Sequence, residues 1–204
     1  MISIINYGLG NVLAFYNIYK KLNIESQVVS NLSELESATK IILPGVGSFD
    51  WAMDKLNKSG MRETLDHLVL EKNIPVMGIC VGMQMMANSS EEGQKEGLGW
   101  FNAKVKKIKS DKKIDLPHMG WNEINIKNDN TLFQGLQNNA RFYFLHSYYF
   151  ETNEDECILC ETNYGGLFTS AAKKNNIFAI QFHPEKSHQW GECILKNFSK
   201  LNNA

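Results

Sequence analysis

A chain of 204 residues, 43% hydrophobic and 21% charged, holds enough apolar material for one globular domain with a sizeable core. A formal net charge of −1 gives no electrostatic reason to expect a nucleic acid or an anionic membrane as partner. No apolar run approaches the roughly 20 residues needed to cross a bilayer. Met1 to Ile5 has no basic signal-peptide region, and four cysteines without a secretion signal predict free thiols in a reducing cytoplasm.

Taken in order, Ile2 to Ile5 reads as a buried strand. It ends in the loop Asn6-Tyr7-Gly8-Leu9-Gly10-Asn11, and a helix follows from about Val12 to Leu22. Ser26 to Ser30 is the next strand, and Asn31 or Ser33 caps a short helix to about Ser37. Lys40 to Leu43 is a third strand. It runs into Pro44-Gly45-Val46-Gly47-Ser48-Phe49, whose glycines allow the dihedrals of an anion-binding turn. A helix starting near Ser48 or Asp50 and another over about Met61 to Glu71 lead to a fourth strand, Pro75 to Ile79. This alternation predicts an α/β fold built on a doubly wound, parallel sheet. The Asn6 loop, the Pro44 loop and Cys80 all fall on the strands' C-terminal edge, where such sheets bind ligands.

After Glu91-Glu92-Gly93 the pattern changes to alternation. Candidate strands are Leu98–Ile108, Trp121–Ile126, Arg141–Phe150, Cys157–Tyr164, Phe168–Lys174 and Ile177–Phe182. The sheet is therefore expected to be mixed, with a last helix over about His188 to Leu201. Lys104 to Lys113 is basic without aromatic interleaving and reads as a solvated hairpin. Cys157-Ile158-Leu159-Cys160 has no second ligand pair at metal spacing, so it is not read as a zinc site. Cys157, Cys160 and Cys193 read as packing residues.

Two stretches carry chemistry. In Gly78-Ile79-Cys80-Val81-Gly82-Met83-Gln84 a short apolar strand breaks at a cysteine and passes into a helix, with glycines two before and two after. That is the nucleophile-elbow pattern with Cys in place of Ser. A cysteine at a helix N-terminus is favoured as thiolate, and the next backbone N–H can face a developing oxyanion. A buried cysteine is by itself as consistent with packing, so a base must complete the site. The second stretch, Gln181-Phe182-His183-Pro184-Glu185-Lys186-Ser187, ends a strand on a histidine, with proline fixing the turn and a carboxylate two residues on. If that edge abuts Cys80, His183 takes the thiol proton and Glu185 orients the imidazole.

Together these two stretches resemble the class I, triad-type glutamine amidotransferases. With Tyr7-Gly8-Leu9-Gly10-Asn11, the Pro44 loop, Pro117-His118-Met119-Gly120-Trp121-Asn122 and His146-Ser147-Tyr148, the chain is similar more narrowly to glutaminase subunits of imidazole glycerol phosphate synthases. The resemblance spans residues 6 to 187 and implies a mainly parallel, mixed sheet with a flavodoxin-like core over residues 1–204. It implies hydrolysis of L-glutamine by Cys80, His183 and Glu185, with no cofactor and no metal. Backbone N–H groups of Val46, Gly47 and Val81 would form the oxyanion hole, each donor worth about 3 kcal/mol. Gln84, His146, Ser147 and Tyr148 would hold the substrate. Ammonia would pass to a (β/α)₈-barrel synthase partner docked near Asn11, His118, Trp121, Asn122 and Lys186, in histidine biosynthesis. The run Phe49-Asp50-Trp51-Ala52-Met53 resembles paralogues whose ammonia amidinates a surface sugar, which keeps that acceptor as an alternative. A catalytically silent regulatory subunit is a third reading, against which the intact triad argues.

Overall fold

The computed structural model describes residues 1–109, 114–128, 131–136 and 140–201. The first half alternates strand and helix: β1 (Ile2–Ile5), α1 (Val12–Lys21), β2 (Ser26–Val29), α2 (Leu32–Leu35), β3 (Ile41–Gly45), α3 (Phe49–Lys58), α4 (Arg62–Asp66), β4 (Val76–Cys80) and α5 (Val81–Met85). A π-helical turn, His67–Glu71, continues α4. The second half is mostly strand: β5 (Ser89–Ser90), β6 (Ala103–Lys107), β7 (His118–Glu123), β8 (Asn125–Ile126), β9 (Arg141–His146), β10 (Tyr148–Thr152), β11 (Ile158–Asn163), β12 (Leu167–Lys174) and β13 (Ile177–Ile180), closed by α6 (His188–Ser199).

The main sheet runs β2-β1-β3-β4-β13-β12-β10-β6-β5. From β2 to β13 every neighbour is parallel, and β12, β10 and β6 continue antiparallel. Every residue of β1, β3, β4 and β13 is buried. This explains why those segments read as unbroken apolar runs, since a parallel sheet covered on both faces has no polar side. Helix ends follow local chemistry. Asn11 Oδ1 accepts from Ala14 N at 3.3 Å to start α1, and Asn31, not Ser33, caps α2 by accepting from Glu34 N at 3.0 Å. The Tyr19 hydroxyl on α1 donates to the Leu195 carbonyl on α6 at 3.3 Å and ties the two ends of the chain together.

Several expected strands are redrawn. Arg141–Phe150 is two strands, broken at Ser147. β9 pairs with β7 in a separate two-stranded sheet, and β10 joins the main one. The break has a local cause: His146 Nδ1 bonds the Tyr148 carbonyl at 2.8 Å, a side-chain to backbone bond that competes with the ladder. Trp121–Ile126 starts earlier, at His118, and divides into β7 and β8. Leu98–Ile108 shrinks to β6, because Leu98 N and Phe101 N donate instead to Met85 O and Met86 O at the end of α5. The basic hairpin reaches only Lys109 within the described residues; 110–113 lie outside them. Cys157 sits in a 3₁₀ turn ahead of β11 rather than in the strand, yet it and Cys160 are both buried, as packing residues should be.

Candidate active site

The parallel register of β4 and β13 sets Ile79 beside Ile180. The two strands therefore end together, delivering Cys80 from one and Gln181, Phe182 and His183 from the other to the same edge. Cys80 has φ 56° and ψ −113°, a left-handed backbone that costs a non-glycine residue on the order of 1–3 kcal/mol. The flanking glycines make the bend possible. A Cβ on Gly82 would overlap the Leu43 carbonyl oxygen, and one on Gly78 would lie 2.7 Å from the Gly82 oxygen. The elbow is thus wedged between β3 and its own helix.

His183 is held on three sides. Its N–H donates to the Tyr143 carbonyl at 2.8 Å, Ser187 Oγ donates back to the His183 carbonyl at 2.6 Å, and Nδ1 meets Glu185 Oε1 at 2.8 Å. Pro184 opens the 3₁₀ turn that folds Glu185 back under the imidazole, and both side chains are 4% exposed. Nε2 is buried and has no hydrogen-bond partner among the described residues. Burial disfavours the imidazolium, but the charge and proximity of Cys80, followed by Glu185, outweigh it and push His183 up to about 10. The sulfur is near enough to act on His183 electrostatically, yet outside hydrogen-bond geometry with Nε2; in a resting site such contacts close when substrate binds.

Around the sulfur runs a polar network. Gln84 Nε2 donates to the Tyr148 carbonyl at 3.0 Å and to Gln181 Oε1 at 3.1 Å, and Gln181 Nε2 donates to Cys80 Sγ at 3.8 Å. With both amide hydrogens of Gln84 committed to oxygens, its own Oε1 takes no hydrogen bond from the described residues. Behind it lies a histidine pair of fixed tautomers. Asn122 Nδ2 donates to His118 Nε2 at 3.2 Å, so His118 Nδ1–H must donate to His146 Nε2 at 3.0 Å, and His146 Nδ1–H to the Tyr148 carbonyl. The Asn122 orientation is itself set, because Nδ2 also donates to the Asn163 carbonyl at 3.0 Å. Desolvation pushes His118 down to about 4 and His146 down to about 3, so both are neutral.

A cavity of about 330 Å³ opens onto this edge. Val46, Gly47, Cys80, Val81, Gln84, His146, Ser147, Tyr148 and His183 line it, which brings together the expected catalytic, oxyanion-loop and substrate positions. Gly47, at φ +87°, packs against Trp51, where a Cβ would sit 2.9 Å from the ring. The expected docking residues divide. Trp121 is 38% exposed and stacks on His188, and Asn11 is exposed. Lys186 lines the cavity with its Nζ 5.4 Å from the centre of the Tyr143 ring. His118, however, is buried between the rings of Phe144 and Tyr164 and offers no surface of its own. Glu92 and Gln181, one on the cavity wall and one buried beside the sulfur, were not singled out from the sequence. Glu92 lines the wall and accepts from Phe49 N at 2.8 Å, and no local pattern marked it. Gln181 had a signal: it is a lone polar residue at the end of an otherwise apolar strand.

Comparison with known proteins agrees with this geometry. The family model of glutamine amidotransferase class-I matches residues 3–201. The chain is 53% identical, over 98% of its length and all of the relative's, to imidazole glycerol phosphate synthase subunit HisH of Leptospira interrogans. It is 51% identical, with the same coverage, to the protein of that name from Bdellovibrio bacteriovorus. A solved glutamine amidotransferase superposes with TM-score 0.76 at 17% identity, over 98% of this chain and 99% of that one, a likeness of fold. The chain therefore belongs to the class I glutamine amidotransferases, within the family of imidazole glycerol phosphate synthase HisH subunits.

Proposed function

We propose that this chain is the glutaminase subunit of an imidazole glycerol phosphate synthase, with Cys80 as nucleophile, His183 as acid and base, and Glu185 as its orienter. The observation that carries the reading is the meeting of a strained elbow cysteine and a buried His–Glu pair at one cavity. The Cys80 thiol proton passes to His183 Nε2, Sγ attacks the side-chain amide carbon of L-glutamine, and the carbonyl oxygen becomes an oxyanion facing the backbone of Val46, Gly47 and Val81. His183 gives its Nε2 proton to the leaving nitrogen, and ammonia departs from a γ-glutamyl thioester. Water then attacks the thioester, His183 takes its proton, and glutamate leaves as the thiol is restored.

Substrate orientation follows from the free atoms in the cavity. The Gln84 Oε1 acceptor and the Glu92 carboxylate suit the α-ammonium group. Ser147 and Tyr148 flank the other end of the amino-acid moiety. Ammonia then moves to a (β/α)₈-barrel partner. Support for docking on this face comes from Val46, Met119, Trp121 and Leu145, apolar side chains 36–63% exposed beside the mouth. Met119 and Leu145 are cross-strand partners of β7 and β9, so part of this apolar set is continuous. Such a seat shields ammonia from protonation in bulk water.

The experiment is synthesis by the reconstituted complex with Cys80→Ala. Glutamine-dependent product formation should be abolished while added ammonium still supports it. Loss of both activities, or survival of the glutamine-dependent one, contradicts the reading. Deletion of the gene tests the acceptor: a strain that still grows without histidine but loses a surface sugar would move the assignment to sugar amidination.

A further inference from the structure

We propose that Gln181 is a positioning residue for the reacting sulfur, holding a hydrogen-bond donor against Cys80 Sγ so that the sulfur keeps a partner after its proton leaves. The inference rests on Cys80 being the nucleophile. Two groups besides His183 approach the sulfur, and they make opposite demands. The Leu145 carbonyl, at 3.9 Å, can only accept, so it favours the protonated thiol. Gln181 Nε2, at 3.8 Å, can only donate, so it favours the charged sulfur.

The direction of the Gln181 amide is not free. Its side chain is fully buried, and its backbone N–H is anchored on the Ser170 carbonyl at 2.9 Å. Its Oε1 accepts from Gln84 Nε2, whose other hydrogen is taken by the Tyr148 carbonyl. Turning the Gln181 amide over would set two N–H groups face to face and point an oxygen at the sulfur. The donor is therefore aimed before substrate arrives, which spares reorganisation during attack. Gln84 then has two duties: one end of its amide faces the cavity, and the other locks Gln181. The side chain that senses substrate is one bond from the side chain that steadies the nucleophile.

The test is alkylation of the full chain by iodoacetamide across pH 5–10, with Cys80 followed by peptide mass spectrometry to separate it from the half-exposed Cys193. Gln181→Glu keeps the shape, and Gln181→Met removes the polar group. In both, the pH midpoint of Cys80 alkylation should rise by about one unit, making the reaction below the midpoint about tenfold slower. In the complex, glutamine-dependent kcat should fall about tenfold with KM within about twofold. An unchanged midpoint in folded variants overturns the proposal, whatever happens to turnover. A measurement on the unmodified chain guards against misfolding: the Gln181 side-chain amide NMR signal should shift as Cys80 is titrated, and a signal indifferent to that titration also overturns it. Glutamine turnover by the Cys80→Ala complex would defeat the glutaminase reading instead, so the two failures are distinct.

Discussion

Cys80 and His183 meet at the centre of the site, and the pH behaviour of the imidazole follows from how it is held. His183, raised to about 10 in the folded chain, keeps a proton that the unfolded chain releases near 6.5. Its contribution to stability is complete below about pH 6.5 and is lost as pH rises through about 10. Urea midpoints measured from pH 7 to 10 should fall in the wild type and fall less in Cys80→Ala, which lacks the main charge sustaining the imidazolium; equal slopes would deny the coupling. Glu185→Gln retains the contact to Nδ1 but not the charge. Glutamate release by the complex should drop roughly a thousandfold, with little change in KM. A drop below tenfold would mean that Glu185 does not govern His183. At this scale the sequence was informative where chemistry is local. The glycines around Cys80 and the His-Pro-Glu turn each declare a backbone shape in a few residues. Glu92 was silent because its relation to the cavity runs through Phe49, more than forty residues away.

Among elements, the elbow and the small β7–β9 sheet carry the site. β4 must leave the sheet where β3 passes it, and Gly82 is the point of closest approach to Leu43. Gly82→Ala should cost about 3 kcal/mol through forced displacement of one chain or the other. It should lower the melting temperature and the glutaminase rate together; a variant as stable as the parent would show that the elbow has slack. The β7–β9 sheet is joined by His118 and His146, both neutral in the fold. Because their folded values lie below the usual 6.5, their contribution is complete above that pH and is lost as pH falls toward about 4. His118→Phe keeps a ring between Phe144 and Tyr164 and should flatten the loss of stability between pH 7 and pH 5, read from urea midpoints. An unchanged slope would place the acid sensitivity elsewhere. Here the sequence was only partly legible. The β-prone run of residues 141–150 reads as one strand, since nothing in its periodicity reveals that His146 folds back onto Tyr148 and breaks it.

For the molecule as a whole, the edge that bears the cavity also bears its apolar rim, so the reaction opens toward whatever docks there. Met119 is 63% exposed on β7, so Met119→Asp should weaken binding of the barrel partner by about tenfold or more while leaving the isolated fold intact. Titration calorimetry with the purified partner measures this, and undiminished affinity would move the interface to another face. No helix among the described residues is long and apolar enough to cross a membrane, and no cluster of metal-ligating side chains occurs among them.

From the order of residues alone came the elements that periodicity and turn chemistry specify: the four parallel strands of the first half with their helices, the sharp bend at Cys80, and the turn that sets Glu185 under His183. These are short-range, because apolar runs, caps and glycines act within a few residues. Tertiary structure decided what lies far apart in the chain. The pairing of β4 with β13 brings Cys80 and Gln181 together across about a hundred residues, and burial then fixes which way each amide and imidazole points. A hydrogen-bond direction depends on partners drawn from several strands at once, and no local pattern encodes that.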